Sequence, residues 1–329
     1  MGGVDSSSRF FQSKNIFIAL TYKCNAFCQK CITRYNRFRN QSMQQEDCKR
    51  LAELLIKNQF SGIINLGSGE SLLYDELPNF VERLLHELPY VRFRILSNGM
   101  LFSDRLPAFF FSPRITWGIT LDGFCNADLL NLQHGVDVET VKENIKSVCK
   151  AGFAGNLYLN YTLNNQNLQS LKPYIDFADM LRVPSLYVTE MKIYKGFRDL
   201  DRYRLSNEDL IFVDQMRKYA EKFPFKLIFF DTKCDWSRQR YCLKWENKIS
   251  PVIDADCTVS FCSGQEDKIL GSIFKPVTLK KWNSLLEKLQ SNNALAEKWC
   301  SRCFSTMSPK GYFSVPLALN PYLRDRCHV

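Results

Sequence analysis

Three cysteines, Cys24, Cys28 and Cys31, follow an apolar run, Ile16-Phe17-Ile18-Ala19-Leu20. Their spacing, Cys-x3-Cys-x2-Cys, puts three thiols on one short loop. Three thiolates so placed can ligate three irons of a cubane cluster. The next cysteine, Cys48, falls in a helix-periodic stretch and does not complete the run. One iron is then left open, and an open coordination site is where a cluster does chemistry rather than electron transfer alone. Zinc is the competing occupant of such a triad, with a fourth donor from elsewhere. A motif of this kind is judged by its structural context. Here a strand feeds the loop, and further motifs follow at intervals.

Those motifs need elements to position them. Strand-like apolar runs cover 16–20, 62–66, 91–96, 115–120, 156–162 and 185–190. Helix-periodic stretches lie between them, near 44–58, 75–87, 104–111, 138–151 and 167–181. Strands separated by helices of about ten residues make βαβ units with parallel strands. Right-handed crossovers curl six such units into a barrel or part of one. A full eight-fold barrel needs about 250 residues, and the alternation here is expected to end near residue 224. Sites in parallel α/β folds gather at the C-terminal ends of strands. The conspicuous segments fall there: Leu66-Gly67-Ser68-Gly69-Glu70-Ser71, Ser97-Asn98-Gly99, Thr120-Leu121-Asp122-Gly123, Asn160-Tyr161-Thr162 and finally Glu190. One Gly-rich turn after a strand is usually only a turn; four in register after successive strands carry more weight.

The cysteine spacing resembles the signature of radical S-adenosylmethionine (radical SAM) enzymes. The resemblance implies an α/β fold, a partial (β/α)6 barrel. It also implies a 4Fe–4S cluster whose open iron binds the amino and carboxylate groups of SAM, and reductive cleavage of SAM to a 5′-deoxyadenosyl radical. Ser68, Gly69 and Glu70 resemble the family's Gly-Gly-Glu segment, which binds the SAM amino group, with Ser68 at the first Gly. Ser97 and Asn98 match its Thr-Asn-Gly turn, and Thr120 and Asp122 match its Ser-Leu-Asp-Gly. Asn160 and Glu190 complete the implied SAM-binding set. The family often carries an aromatic residue just before the third cysteine, where this chain has Lys30.

Beyond residue 225 the composition turns Cys-rich. Cys234, Cys242, Cys257, Cys262, Cys300, Cys303 and Cys327 appear. Residues 253–262 read as a hairpin delivering Cys262, and a helix near 279–290 separates it from Cys300-Ser301-Arg302-Cys303. This region resembles the auxiliary-cluster domain called SPASM, or its shorter form, Twitch. The resemblance implies a second 4Fe–4S cluster held by Cys242, Cys262, Cys300 and Cys303, with zinc as the alternative. In the segment Asp254-Ala255-Asp256-Cys257 the family usually has Gly where Cys257 stands. The expected organisation is therefore a disordered start or artificial remnant over 1–13, a barrel over 14–224, a small Cys-rich auxiliary domain over 225–310 and a tail over 311–329.

The 329 residues, 45% hydrophobic and 24% charged, have ordinary soluble-protein values. No run of 18 apolar residues spans a membrane, and no signal pattern opens the chain. Thirteen cysteines without a secretion signal favour thiolate ligands in a reducing cytoplasm over a disulfide scaffold. The net charge of +10 is spread without a block of five, so nucleic acid is not favoured. Residues 192–198, Lys-Ile-Tyr-Lys-Gly-Phe-Arg, are the best basic-aromatic stretch for a substrate groove.

Radical SAM proteins with SPASM or Twitch domains commonly modify ribosomally made peptides. The resemblance is greatest to peptide epimerases, in which a thiol returns hydrogen to the opposite face of a substrate radical. Cys234, at the end of the apolar run 226–230, is the candidate donor, and Cys257 is the runner-up. The alternatives are a thioether- or carbon–carbon-cross-linking maturase, a dehydrogenase of a small alcohol, and a non-enzymatic zinc-binding module. A peptide substrate and a reductase, flavodoxin or ferredoxin as electron donor are the expected partners.

Overall fold

In the computed structural model the described residues are 9–31, 40–129, 133–191, 198–224, 226–230, 249–262, 269–292 and 294–296. Seven strands run parallel in one sheet: β1 (Asn15–Ile18), β3 (Ile63–Leu66), β4 (Arg92–Ser97), β5 (Ile115–Thr120), β7 (Leu157–Leu163), β8 (Ser185–Glu190) and β9 (Lys226–Phe230). Two-residue strands β2 (Phe27–Cys28) and β6 (Gln133–His134) pair with each other outside it.

Alternation along each strand separates two faces. Ile16, Ile18, Ile64, Leu66, Phe93, Ile95, Trp117, Ile119, Leu157 and Leu159 are buried in the main apolar core. The other face carries Phe17, Leu96, Tyr158 and Tyr187, which form a cluster of their own, the two tyrosine rings 5.1 Å apart and edge-to-face. In a flat sheet β1 and β7 would lie four strand spacings apart, roughly 19 Å. Phe17 nevertheless packs against the tyrosines of β7 and β8. The sheet is therefore curled, with this smaller cluster inside the curl.

The helices coat the outer face because their apolar residues recur at helical spacing. Helix α1 (Gln45–Lys57) buries Cys48, Leu51, Ala52 and Leu55. Helix α2 (Leu77–Glu87) buries Leu77, Phe80, Val81, Leu84 and Leu85. A one-turn helix α3 (Asn126–Leu129) precedes α4 (Val138–Val148), which buries Val138, Val141, Ile145 and Val148 and is capped by Asp137, whose carboxylate accepts from Thr140 N at 2.9 Å. Helix α5 (Leu171–Met180) buries Leu171, Tyr174, Ile175, Phe177 and Ala178. No helix among the described residues is long and apolar enough to cross a membrane.

The expected helix over 104–111 is not formed; only a short 3-10 turn, Ala108–Phe111, is present. Pro107 precedes it in an extended conformation, and a proline also restricts the residue before it. Burial of Phe110 and Phe111, with Phe110 O accepting from the Trp117 indole at 2.9 Å, organises the segment instead. The expected end of the alternation near residue 224 falls one strand early. Helix α6 (Asn207–Ala220) carries a Ser206–Asp209 capping box, and β9 then adds in parallel to β8. Helix α6 buries only Val213, Met216 and Ala220, so its apolar stripe is thin in the sequence.

The described part of the Cys-rich C-terminal region joins the same sheet. Strand β10 (Val252–Ile253) pairs in parallel with β1, then turns antiparallel into β11 (Thr258–Ser260) and β12 (Ile269–Ser272), giving a ten-stranded sheet. Helix α7 (Pro276–Ser291) follows and buries Trp282, whose indole donates to Phe261 O at 3.0 Å. Residues 9–13, expected within an unstructured start, fold as a turn. Phe10 is fully buried with its ring 5.4 Å from Trp282. Two adjacent aromatic residues remove enough apolar area from water to order the segment.

Candidate active site

The strand β1 leads through Thr21-Tyr22-Lys23 into the cysteine loop. Cys24 is exposed, and Cys28 and Cys31 are half-buried. Backbone bonds from Tyr22 N to Gln41 O (2.7 Å) and from Met43 N to Leu20 O (2.8 Å) fix the loop's root. The Tyr22 hydroxyl donates to the buried Asp254 carboxylate at 2.5 Å, tying that root to the β10–β11 hairpin.

From β3, Gly69 and Glu70 close on the same root. Glu70 N donates to Lys23 O at 2.8 Å. A Cβ on Gly69 would stand 2.3 Å from Lys23 O and 2.8 Å from the Tyr22 carbonyl carbon, so only glycine permits this approach. The Glu70 side chain is buried and accepts from Asn98 N at 2.8 Å and Leu72 N at 3.2 Å. Burial pushes its carboxyl above the usual range against these hydrogen bonds and one from Ser97. Glu70 and Ser97 thus lock the end of β3 to the end of β4.

Asn98 faces the loop. Its amide donates to Asn25 Oδ1 at 2.7 Å and lies 3.8 Å from Cys24 Sγ. On the other side, Phe27 and Cys28 pair with His134 and Gln133 in the two-stranded sheet. Gly135 follows at φ +81°, where a Cβ would meet Asn25 O at 2.8 Å. Lys30 forms an ion pair with Asp122, whose side chain is buried. Asp122 in turn accepts from Thr162 N at 2.7 Å through its other oxygen.

Thr120 and Asn160 are register partners, the Asn160 amide 3.5 Å from Thr120 Oγ1. They lie half-buried at the same end of the sheet. Ser68 is half-buried beside Gly69. Ser97 is buried and accepts from Gly99 N at 3.0 Å, so it supports the turn behind Asn98. Glu190 shares register with Leu163 rather than with Asn160, and alternation places it off the Thr120–Asn160 face.

Sequence reasoning missed three supporting side chains, those of Asn25, Gln133 and Asn167. Asn25 holds Asn98. Gln133 Oε1 accepts from Asp122 N at 3.4 Å. Thr162 N holds Asp122, and the Asn167 amide donates to Asp122 O at 2.6 Å and Thr162 O at 2.8 Å. The run Asn164-Asn165-Gln166-Asn167 after β7 was the available signal, since Asn side chains bond backbone groups at turns.

The donor set fits an iron–sulfur cluster: three thiols on one loop within reach of each other's charge, and no carboxylate or imidazole among them. Loss of hydration raises the Cys24 thiol, and the Glu70 and Cys31 charges add to this. Loss of hydration also raises Cys28, opposed chiefly by Lys30. These raised values favour the protonated form of Cys24 and Cys28, and a metal must displace those protons. Among the described residues no three Cys, His, Asp or Glu side chains converge as ligands of one ion; a cubane instead takes each thiolate on a separate iron.

Residues 18–178 match the Radical SAM superfamily. Over that stretch, just under half of the chain, the sequence is similar to a radical SAM domain. That family implies a 4Fe–4S cluster and SAM, and Cys24, Cys28 and Cys31 are the residues that would hold the cluster. No curated protein matches the sequence. Among solved structures, Streptococcus suis SuiB bound to S-adenosylmethionine is similar with a TM-score of 0.67 at 16% identity, covering 94% of this chain and 77% of that one. SuiB bound to its precursor peptide SuiA gives 0.66 at 15%, covering 94% and 76%. Native anSMEcpe with bound AdoMet and the Cp18Cys peptide gives 0.61 at 15%, covering 91% and 92%. At these identities the likeness is one of fold.

Of the C-terminal candidates, Cys262 follows β11, half-buried against the core. Cys257 is buried at 2% exposure, at φ +62°. Its thiol is pushed up to about 12, first by burial and then by the charges of Asp47 and Asp256. Its neighbours include Cys48 and Tyr74, on the helical side of the sheet, so the structure does not bring it to the cysteine loop. Cys234, Cys242, Cys300, Cys303 and Cys327 lie outside the described residues, as does the basic-aromatic stretch over 192–197.

Proposed function

We propose that this protein modifies a ribosomally made peptide, and that the reaction is L-to-D epimerisation at an α-carbon. The observation that carries the reading is the convergence of the cysteine loop with the ends of β3, β4, β5 and β7. It occurs in a fold shared with SuiB and anSMEcpe, both solved with peptides bound. When bound, the cluster and SAM supply hydrogen-atom abstraction from an unactivated carbon.

The chain's own residues position that chemistry. Gly69 lets the end of β3 lie against Lys23, and Glu70 joins the β3 and β4 ends, so the Ser68–Glu70 segment stands beside Cys24 as a cradle for the SAM amino group. Asn98, Thr120 and Asn160 offer amide and hydroxyl groups at the same strand ends. Asp122 keeps the β5 end fixed to β7. An α-carbon is a suitable target because its radical is delocalised into the flanking amides. Return of hydrogen to the opposite face is assigned to Cys234, whereas Cys257 is a buried thiol in the core. Cys242, Cys262, Cys300 and Cys303 are proposed as ligands of an auxiliary 4Fe–4S cluster, and a flavodoxin, ferredoxin or reductase as electron source.

The test is anaerobic incubation with candidate peptides in heavy water. A thiol exchanges with solvent, so epimerisation adds one deuterium per inverted centre. Cys234→Ala should still consume SAM but give little D-residue. A product lighter by two hydrogens would replace epimerisation with cross-linking or dehydrogenation.

A further inference from the structure

Lys30 stands between two candidate ligands, Cys28 and Cys31, where a loop lysine would ordinarily extend into water. Instead its side chain is only 12% exposed and is paired with Asp122, 2% exposed. Asp122 cannot follow the loop, because Thr162 N, Gln133 Oε1 and the Asn167 amide hold its carboxylate and backbone. Gln133 is also the register partner of Cys28. The contacts therefore close a ring, from Cys28 through Gln133, Asp122 and Lys30 back along the chain to Cys28.

We propose that Lys30 is a positioning residue for electron uptake: pinned to Asp122, it holds a fixed positive charge beside the Cys28 ligand and makes the cluster easier to reduce. The inference rests on the cluster reading of the loop. Lys30 lies two residues from Cys28 and next to Cys31, and its pair with buried Asp122 fixes where the ammonium stands. Reduction adds one negative charge to a cluster, and a fixed cation on the same loop in a partly dry site stabilises that state. The ring matters because a mobile lysine would be averaged and screened by solvent.

The test uses the full chain, reconstituted anaerobically and titrated with dithionite, which supplies one electron per cluster. EPR follows the reduced signal that changes when SAM is added. Lys30→Met should keep its iron but lower the reduction equilibrium constant about tenfold, 59 mV more negative for a one-electron couple. Lys30→Arg should stay at the wild-type potential, and Asp122→Asn should move the opposite way. If Lys30→Met fails to load iron, the Lys30→Met/Asp122→Asn protein, with no unpaired buried carboxylate, should titrate below Asp122→Asn, and equal potentials for those two overturn the proposal. A loaded Lys30→Met protein at the wild-type potential overturns the proposal, as does a Lys30→Arg shift equal to that of Lys30→Met. Wild-type protein with no SAM-responsive cluster would instead defeat the reading of the loop itself.

Discussion

Two cysteine-bearing regions of this chain meet the same sheet and treat their thiols in opposite ways. The loop carrying Cys24, Cys28 and Cys31 is held at its edges by Asn98 on Asn25, Gln133 paired with Cys28 and Asp122 on Lys30, with Cys24 exposed and Cys28 and Cys31 half-buried. The hairpin carrying Cys257 is held by apolar packing, and its thiol sits in the core with Val259, Phe261 and Trp282. A cluster ligand must reach metal and solvent-borne partners, whereas a core thiol behaves as a small hydrophobe. The difference teaches that cysteine count alone does not mark a site; the polar bracing around the sulfurs does.

The sharpest way to break the contrast is to remove the thiols. Replacing Cys24, Cys28 and Cys31 by Ala should abolish deoxyadenosine formation and remove about half of roughly eight irons per chain after reconstitution. Cys257→Ala should leave iron content unchanged. Iron analysis and product chromatography read both, and stoichiometric zinc in anaerobically purified protein would defeat the cluster assignment. Replacing Cys300 and Cys303 together should remove the other half of the iron and lower turnover; full iron and activity would rule out their role as ligands.

The next largest effect concerns the bracing. Gly69→Leu should lower SAM affinity by at least about tenfold while the cluster still assembles, because any side chain there displaces the Lys23 backbone. Equilibrium dialysis with labelled SAM checks this.

Glu70 gives a pH-dependent test on apo protein. Glu70→Gln should cost about 1–3 kcal/mol by leaving buried donors poorly matched. The folded carboxyl value is raised, so the folded state binds the proton more tightly than the unfolded state. The stability linked to that proton is fully present below the unfolded value and is lost as pH rises through the folded one. The wild-type advantage over Glu70→Gln should therefore shrink as pH rises. Denaturant midpoints across pH measure it, and an advantage that grows with pH would contradict the burial argument.

The smallest effect isolates backbone conformation in the hairpin. Cys257 stands at φ +62°, which costs a non-glycine residue on the order of 1 kcal/mol. Cys257→Gly should therefore be about 1 kcal/mol more stable than Cys257→Ala, by thermal unfolding of the two variants. Equal stability would mean the turn relaxes without cost.

The cysteine spacing, the order of strands and the motifs after strands two to five were all legible in the sequence. Each rests on covalent spacing or on local periodicity, which the chain carries without folding. The helix over 104–111 was misread because its aromatic residues mimic a helical stripe while Pro107 breaks the ladder. Helix α6 was missed because most of its residues face water, which removed the signal that would have led on to β9.

What only the tertiary structure decided depends on distant segments meeting. Lys30 and Asp122 are 92 residues apart in the chain, and Tyr22 and Asp254 are 232 apart. Residue types at such separations carry no period, so nothing local predicts the pairing. The same holds for the β2–β6 ladder that clamps Cys28 and for the burial of Cys257. Curling of the sheet brings these groups together, and the curl follows from strand twist and packing summed over the whole sheet. The sequence by itself determined that three thiols would stand at the C-terminal end of a parallel sheet; the tertiary structure decided which buried charges and amides hold them there.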